Sequence, residues 1–451
     1  MVDGPMEPQM DAEAESEGEA PLSGQTSQYT GRFIVVFADE VAGDSAAIAE
    51  ALGSVPGVAS IASTQDYEAG VIDPSETSGA DATVFAELGV AVVTSDPTDT
   101  GGLESIAEAD PRILFVERER ILRAIDDTGS TSPSLEYARG FRDATIALYD
   151  GLSGGGGAAA EAAAAAAFSD TPEFSWGLLA TKAANSARHG RGIRVAVLDT
   201  GFDLKHPDFA GRSVTTASFV PGQTVQDGHG HGTHCVGTSC GPASPSGSRR
   251  YGVATEAEIF VGKVLGNEGS GGDSNILAGI NWAVTNRCHV ISMSLGADIR
   301  QVSQAYERVG QRAMAAGCLI VAAAGNNARR SAGNNGFVGV PANSPSIMAI
   351  AAVDSKLAIA DFSARSKFLS KGGQVDVAGP GVAVYSSWPM PKRYNTISGT
   401  SMATPHVAGL AALWSESTGE TGAGLWAKVV GAARDIGVKK VDVGTGLAQA
   451  P

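Results

Sequence analysis

The sequence predicts a large α/β body, a mainly parallel central sheet flanked by helices, preceded by a small α+β unit. Short uninterrupted apolar runs, Val195-Ala196-Val197-Leu198 and Cys318 to Ala324, read as strands buried on both faces, the form parallel strands take. Each run breaks at a glycine or polar residue and is followed by helix-like patterning, which suits alternating strand and helix. With 451 residues, 43% of them hydrophobic, the chain can bury a sizeable core and divides into about two domains.

The amino-terminal third reads in pieces. Residues 1–30 hold seven acids, no Lys or Arg and few large apolar side chains, so an acidic disordered tail is expected. Residues 31–125 carry strand-like runs at either end, Phe33 to Phe37 and Ile113 to Glu117. Between them fall a helix near Ser45 to Leu52, a strand at Val90 to Thr94, a helix near Gly102 to Glu108 and one strand without a clear place. That order is ferredoxin-like, interrupted by a polar insertion from Ser63 to Asp81. Residues 126–171 form a Gly/Ala-rich linker, with a helix expected at Leu135 to Tyr149 and an alanine-rich spacer at Ala158 to Ala167. The body occupies 172–451, opening near Phe174-Ser175-Trp176.

Charge and cysteine narrow the classes. Residues 1–125 hold 24 acidic and 5 basic side chains, and the remainder 25 and 27, so the formal charge of −17 is amino-terminal. A near-neutral body without a basic stripe excludes nucleic acid as an expected partner. The first twenty residues lack an apolar core of about 7 to 15 residues. No run reaches about 18 apolar residues, so no membrane partner is expected either. A cytoplasmic location is favoured, with leaderless secretion as the other route. The four cysteines lack paired spacing and are expected to be buried thiols.

Three polar clusters carry the chemistry. Asp199 ends a buried strand and precedes Thr200-Gly201, at the sheet edge where functional groups collect. His231 lies in Asp227-Gly228-His229-Gly230-His231-Gly232-Thr233-His234, just before a helix expected from Thr233. Ser401, in Gly399-Thr400-Ser401-Met402-Ala403-Thr404-Pro405-His406, is set among small residues at a helix start expected to run to Leu413. A serine alcohol needs a base to become a nucleophile, and His231 oriented by Asp199 would supply one. His229, His234 and His406 read as structural. A lone Asp-Thr-Gly also occurs in aspartic proteases, but these need a second copy in a mostly β chain.

In the order acid, base, nucleophile, separated by 32 and 170 residues, the chain resembles the subtilases, the subtilisin-like serine proteases of peptidase family S8. The similarity runs over roughly residues 172 to 415. It implies a subtilisin-like fold and a serine endopeptidase acting on polypeptides through an acyl-enzyme, with no cofactor needed for the chemistry. It makes Asn326, after the strand ending Ala324-Gly325, the donor to the oxyanion. It places substrate between the glycine-rich edge Gly269-Ser270-Gly271 and the opposite wall Ser294-Leu295-Gly296, with Ala324 and Gly325 also lining the groove. Asp273 stands where members often carry a large apolar residue. Asp208 is implied as a ligand of a structural calcium ion. Residues 31–125 resemble the family's propeptide, an intramolecular inhibitor, with self-cleavage expected in the linker. The alternative from another class is a catalytically silent peptide-binding module held by its own propeptide.

Overall fold

The computed structural model describes residues 28–55, 57–67, 77, 79–94, 106, 108–125, 168–367 and 372–451. The tail over 1–27, the linker helix, the alanine-rich spacer and most of the expected helix at Gly102 to Glu108 lie outside them.

In the amino-terminal unit the elements are β1 (Tyr29–Phe37), α1 (Ser45–Leu52), β2 (Ile61–Ser63), β3 (Ala82–Phe85), β4 (Val90–Thr94) and β5 (Ile113–Ala124). The strand without a clear place is β3. The strands line up β5-β1-β4-β3-β2, antiparallel except for β2 on β3. The four strands β5-β1-β4-β3 have the order and directions of a ferredoxin-like sheet. Asp44 starts α1, its carboxylate accepting from the N–H groups of Ala46 and Ala47, both at 3.0 Å.

Strand periodicity explains why Phe33-Ile34-Val35-Val36-Phe37 is apolar throughout. Phe33, Val35 and Phe37 face α1 in a local core, whereas Ile34 and Val36 turn to the other face and join the core of the body. That second face lies against two helices of the body, α3 and α4 below.

The body contains β6 (Arg194–Asp199), β7 (Val214–Ser218), α2 (His231–Cys240), β8 (Glu258–Lys263), β9 (Ser270–Gly272) and α3 (Asp273–Thr285). These are followed by β10 (Val290–Met293), β11 (Leu295–Gly296), α4 (Gln304–Ala315), β12 (Leu319–Ala323), β13 (Met348–Val353) and β14 (Val377–Pro380). A hairpin, β15 (Val384–Ser387) with β16 (Tyr394–Ile397), precedes α5 (Thr400–Thr418). The order β14-β13-β12-β10-β6-β8-β7 is parallel throughout. From β6 the chain builds β7 and β8 on one side and β10, β12, β13 and β14 on the other, so the carboxyl end of β6 is the topological switch point. Both faces of β6 are covered, Ala196 and Leu198 by one core and Val195 and Val197 by another. Among the described residues no helix is long and apolar enough to cross a membrane.

The two units are joined by polar contacts that sequence periodicity does not show. Glu119, with no exposed side-chain surface, accepts from the Ser274 N–H at the start of α3 (2.8 Å) and pairs with Arg32 (2.6 Å). Glu117 accepts from the Gln304 N–H at the start of α4 (2.5 Å) and from the Ser303 hydroxyl (2.7 Å). Carboxylates placed there complement the positive ends of both helices. Arg312, on α4, donates to the carbonyls of Phe37 (2.8 Å) and Leu88 and pairs with Asp39 at 2.8 Å.

Arg312 therefore ties β1 and the β3–β4 turn to α4. Arg312→Ala, made in a Ser401→Ala background, should speed amide hydrogen exchange in Tyr29–Phe37 and leave Arg194–Asp199 protected. Unchanged exchange in β1 would show that the apolar face alone holds the unit.

Candidate active site

Asp199 is placed by strand β6, whose apolar run carries it to the switch point fully buried. Its Oδ1 accepts from the Thr200 N–H at 2.7 Å and lies 2.8 Å from His231 Nδ1. Because a carboxylate only accepts, Nδ1 carries the proton and Nε2 faces away from the acid. Burial alone would raise the Asp199 carboxyl, but the His231 ring beside it and the Thr200 N–H hold it below the ordinary range. Burial works against a charge on His231, yet the Asp199 carboxylate outweighs it and raises the ring well above 6.5.

His231 is the first residue of α2, two residues earlier than expected. Gly230 before it has φ 105°, a left-handed conformation that a β-carbon would strain, and that β-carbon would fall 2.3 Å from the Trp388 ring. The loop is organised by Asp227, whose part the motif did not reveal. Its two oxygens accept from the hydroxyls of Thr200 and Thr233 (2.9 and 2.7 Å) and from the N–H groups of His229, Gly230 and Thr233 (3.0, 2.8 and 2.8 Å). A short aspartate ahead of a glycine turn is the residue type that does this.

Ser401 lies in the first turn of α5, which begins one residue earlier and runs five residues longer than expected. Its Oγ donates to the Ser294 carbonyl at 3.0 Å, and the buried His231 Nε2 has no hydrogen-bond partner among the described residues. The structure thus forms the Asp199–His231 link and leaves the serine turned to the groove wall. Cys235 lies between the two, its Sγ 3.9 Å from His231 Nδ1 and 3.7 Å from the Ser401 carbonyl. The ligand atoms of Asp199, His231 and Cys235 lie within 4.8 Å of one another, a spacing that suits a metal. Burial pushes the thiol up to about 11, and Nδ1 is committed to Asp199, so the set lacks the thiolate and free Nδ1 that would hold a metal. All four cysteines are buried and free.

Asn326 is fixed through its amide oxygen, which accepts from the N–H and hydroxyl of Thr400 at 3.0 and 2.9 Å. That leaves Nδ2 to donate, and it does so to the carbonyl of Ile125 at 3.3 Å. Ile125 follows directly on β5, which runs between the two expected walls. Ile121, Leu122 and Arg123 pair with Gly272, Gly271 and Ser270 of β9, and Arg123 and Ala124 pair with Gly296 and Leu295 of β11, both antiparallel. Beyond the ladder, the Ala124 N–H donates to the Gly269 carbonyl (2.9 Å) and the Ile125 N–H to the Ser294 carbonyl (3.2 Å). The Ile125 side chain lies where a β-carbon on Gly296 would come within 2.7 Å of it, so only glycine leaves that space. Gly269, Ser270, Gly271, Ser294, Leu295 and Gly296 therefore flank β5 and its continuation to Ile125.

One expectation is corrected. The N–H groups of Ala324 and Gly325 are used inside the body, on the Ile350 carbonyl and the Thr400 hydroxyl, so these two residues do not ladder to β5. Asp208, expected to hold calcium, is already neutralised: its oxygens accept from Arg393 Nη2 (2.9 Å), the hydroxyls of Tyr251 (2.7 Å) and Tyr394 (2.9 Å) and the Ser246 N–H (3.2 Å). Burial would raise this carboxyl, but those donors hold it below the ordinary range. A hard cation needs six to eight oxygens, and a guanidinium with two tyrosines supplies none free, so these residues do not fit calcium.

Two of the other histidines lie under the packed helices with structural partners. His234 Nε2 lies 3.0 Å from the Val384 carbonyl and His406 Nδ1 2.8 Å from that of Met402. Burial pulls them down to about 3 and about 4, so both stay neutral.

The sequence pattern of the subtilase family matches residues 190–446, which contain Asp199, His231, Asn326 and Ser401. The chain belongs to the subtilase family. It is 40% identical to subtilisin DY of Bacillus licheniformis over 235 residues, which is 52% of this chain and 80% of that protein. It is 43% identical to subtilisin E of Bacillus subtilis over 226 residues, half of this chain and 55% of that protein. Among solved structures it resembles sphericase, with a TM-score of 0.54 and 32% identity over 61% of this chain and 98% of the other. The protein is accordingly a subtilisin-like serine endopeptidase, and no cofactor is needed for its chemistry.

Asn326→Ala should fold and lose about 10²–10³ in kcat, a magnitude carried over from subtilisin's own asparagine donor; unchanged turnover would remove Asn326 from the reaction. The base must be neutral to accept a proton, so kcat/KM of the processed enzyme should fall as pH drops through the His231 pKa. The half-maximal point of the pH–rate profile should lie above 6.5.

Proposed function

We propose that the chain is made as a self-inhibited endopeptidase that cuts its own Ile125–Asp126 bond. The observation that carries this reading is the Ile125 carbonyl, held by Asn326 at 3.3 Å at the end of a strand laddered to both groove walls. Main-chain pairing of this kind positions a peptide independently of its side chains. Rotation of the Ser401 hydroxyl from the Ser294 carbonyl to His231 Nε2 readies it for attack. Ser401 Oγ then bonds to the Ile125 carbonyl carbon while Nε2 takes the hydroxyl proton. The carbonyl oxygen gathers negative charge against Asn326 Nδ2 and the Ser401 N–H. Asp199 holds the tautomer and offsets the charge on the ring. Collapse breaks the C–N bond, and His231 passes its proton to the departing Asp126 nitrogen. Water, deprotonated by the same ring, releases the acyl group.

The cut places the junction at the amino edge of the linker. Afterwards the unit comprising residues 31–125 remains in the groove as an inhibitor, through the β5 ladder and the contacts of Glu117, Glu119 and Arg312. Ile125 against Gly296 and Leu122, with no exposed surface, favour apolar residues at the first and fourth positions before the cut bond.

Expression of the full chain beside Ser401→Ala tests this. The wild type should yield a catalytic chain whose first residue by terminal sequencing is Asp126, or a later residue after trimming, together with a fragment ending at Ile125. The alanine variant should stay at 45.7 kDa. Identical uncut products, with no labelling of Ser401 by a fluorophosphonate, would favour the silent peptide-binding module.

A further inference from the structure

Asp273, the first residue of α3, has no exposed surface. Its Oδ2 accepts from the Arg120 N–H at 2.8 Å and lies 3.4 Å from Arg120 Nη1, and its Oδ1 accepts from the Tyr306 hydroxyl at 2.7 Å. Arg120 Nη1 also reaches Ser303 Oγ at 3.3 Å, and Nη2 donates to Glu117. Asp273, Tyr306 and Ser303 belong to the protease body and are at most 1% exposed. Arg120 and Glu117 belong to the covering strand.

The register makes this arrangement informative about substrates. With Ile125 next to the cut bond, Arg120 is the sixth residue before it. Any peptide laddered to β9 and β11 in the same register brings its sixth residue to the same carboxylate. Arg123, the third residue before the bond, points out to solvent, so the two arginines of this stretch are not equivalent. A buried carboxylate is stable only with a partner, and departure of β5 removes the one cation paired with it among the described residues.

We infer that Asp273, with Tyr306 and Ser303, forms a subsite that selects arginine at the sixth position before the cut bond of a polypeptide substrate. The inference rests on the reading of β5 as a substrate-register occupant of the groove. One nitrogen of the group, Nη1, meets both Asp273 and Ser303, and a guanidinium keeps its charge at every working pH. The subsite departs from the apolar groove that the surrounding motifs imply, and it gives the aspartate at this position a role.

The test uses enzyme obtained by self-processing of the full chain and a peptide of the sequence Arg120 to Ile125 carrying a chromogenic leaving group. Matching peptides carry citrulline or glutamate at the first residue. Burial pushes Asp273 up to about 7 against the pull of Arg120, so an assay near about pH 8.5 keeps the carboxylate charged. The kcat/KM for the arginine peptide should exceed that for citrulline by about tenfold or more, with glutamate lower still. In Asp273→Asn the arginine-to-citrulline ratio should fall to about one. Equal rates for arginine and citrulline in the wild type would overturn the subsite, as would an Asp273→Asn enzyme that keeps the ratio. The wild-type comparison decides even where the variant fails to fold. Cleavage of none of the peptides would instead overturn the reading of β5 as a substrate-register occupant of the groove.

Discussion

Asp199 is a carboxylate without exposed surface, and its burial is tolerable because the Thr200 N–H and His231 Nδ1 both engage one of its oxygens. The rest of the site is arranged around that bond. Strand β6 carries the acid to the switch point of the sheet, Gly230 and Asp227 start α2 at the residue that meets it, and α5 brings Ser401 alongside through Cys235. The bond fixes which ring nitrogen bears the proton, and so which one is open to a nucleophile. A charged acid that cannot escape to water is also what makes the ring basic.

The amino-terminal unit meets the body by two different kinds of contact. One is a broad apolar face, Ile34, Val36 and Val92 against the helices α3 and α4, which is tolerant of sequence. The other is a set of charges at defined points, Glu117 and Glu119 on helix starts, Arg312 on strand carbonyls and Arg120 on Asp273. The first supplies area, and the second supplies register. Register matters because a slip of one residue along β5 would carry the Ile125 carbonyl away from Asn326 and reverse every side chain between groove and solvent.

Much of this is legible in the sequence where local rules suffice. Asp199, His231, Asn326 and Ser401 each follow a continuous apolar run or a glycine turn, so their places at strand ends and helix starts can be read directly. The parallel sheet and the β1, α1, β4 and β5 pattern follow for the same reason, whereas Gly269 to Gly271 and Ser294 to Gly296 are marked only by the resemblance to the subtilases. What cannot be read depends on partners far away in the chain. Glu117, Glu119 and Asp273 look like surface acids until β5 is laid over α3 and α4. Asp208 looks like a metal ligand because its match to relatives is local, whereas Arg393, which satisfies it, lies 185 residues away. The serine hydroxyl's turn toward Ser294 is likewise a matter of rotamer, which no spacing encodes.

That guanidinium has a meaning for the hairpin that precedes the nucleophile. Arg393 and Tyr394 stand at the start of the β15–β16 hairpin's second strand, just upstream of the nucleophile. Through Asp208 they tie this hairpin to the loop that follows the catalytic acid. A cross-brace built from the polypeptide is present from the moment the chain folds and cannot be stripped out by a chelator or diluted away. At this corner the enzyme carries its own counter-ion in Arg393.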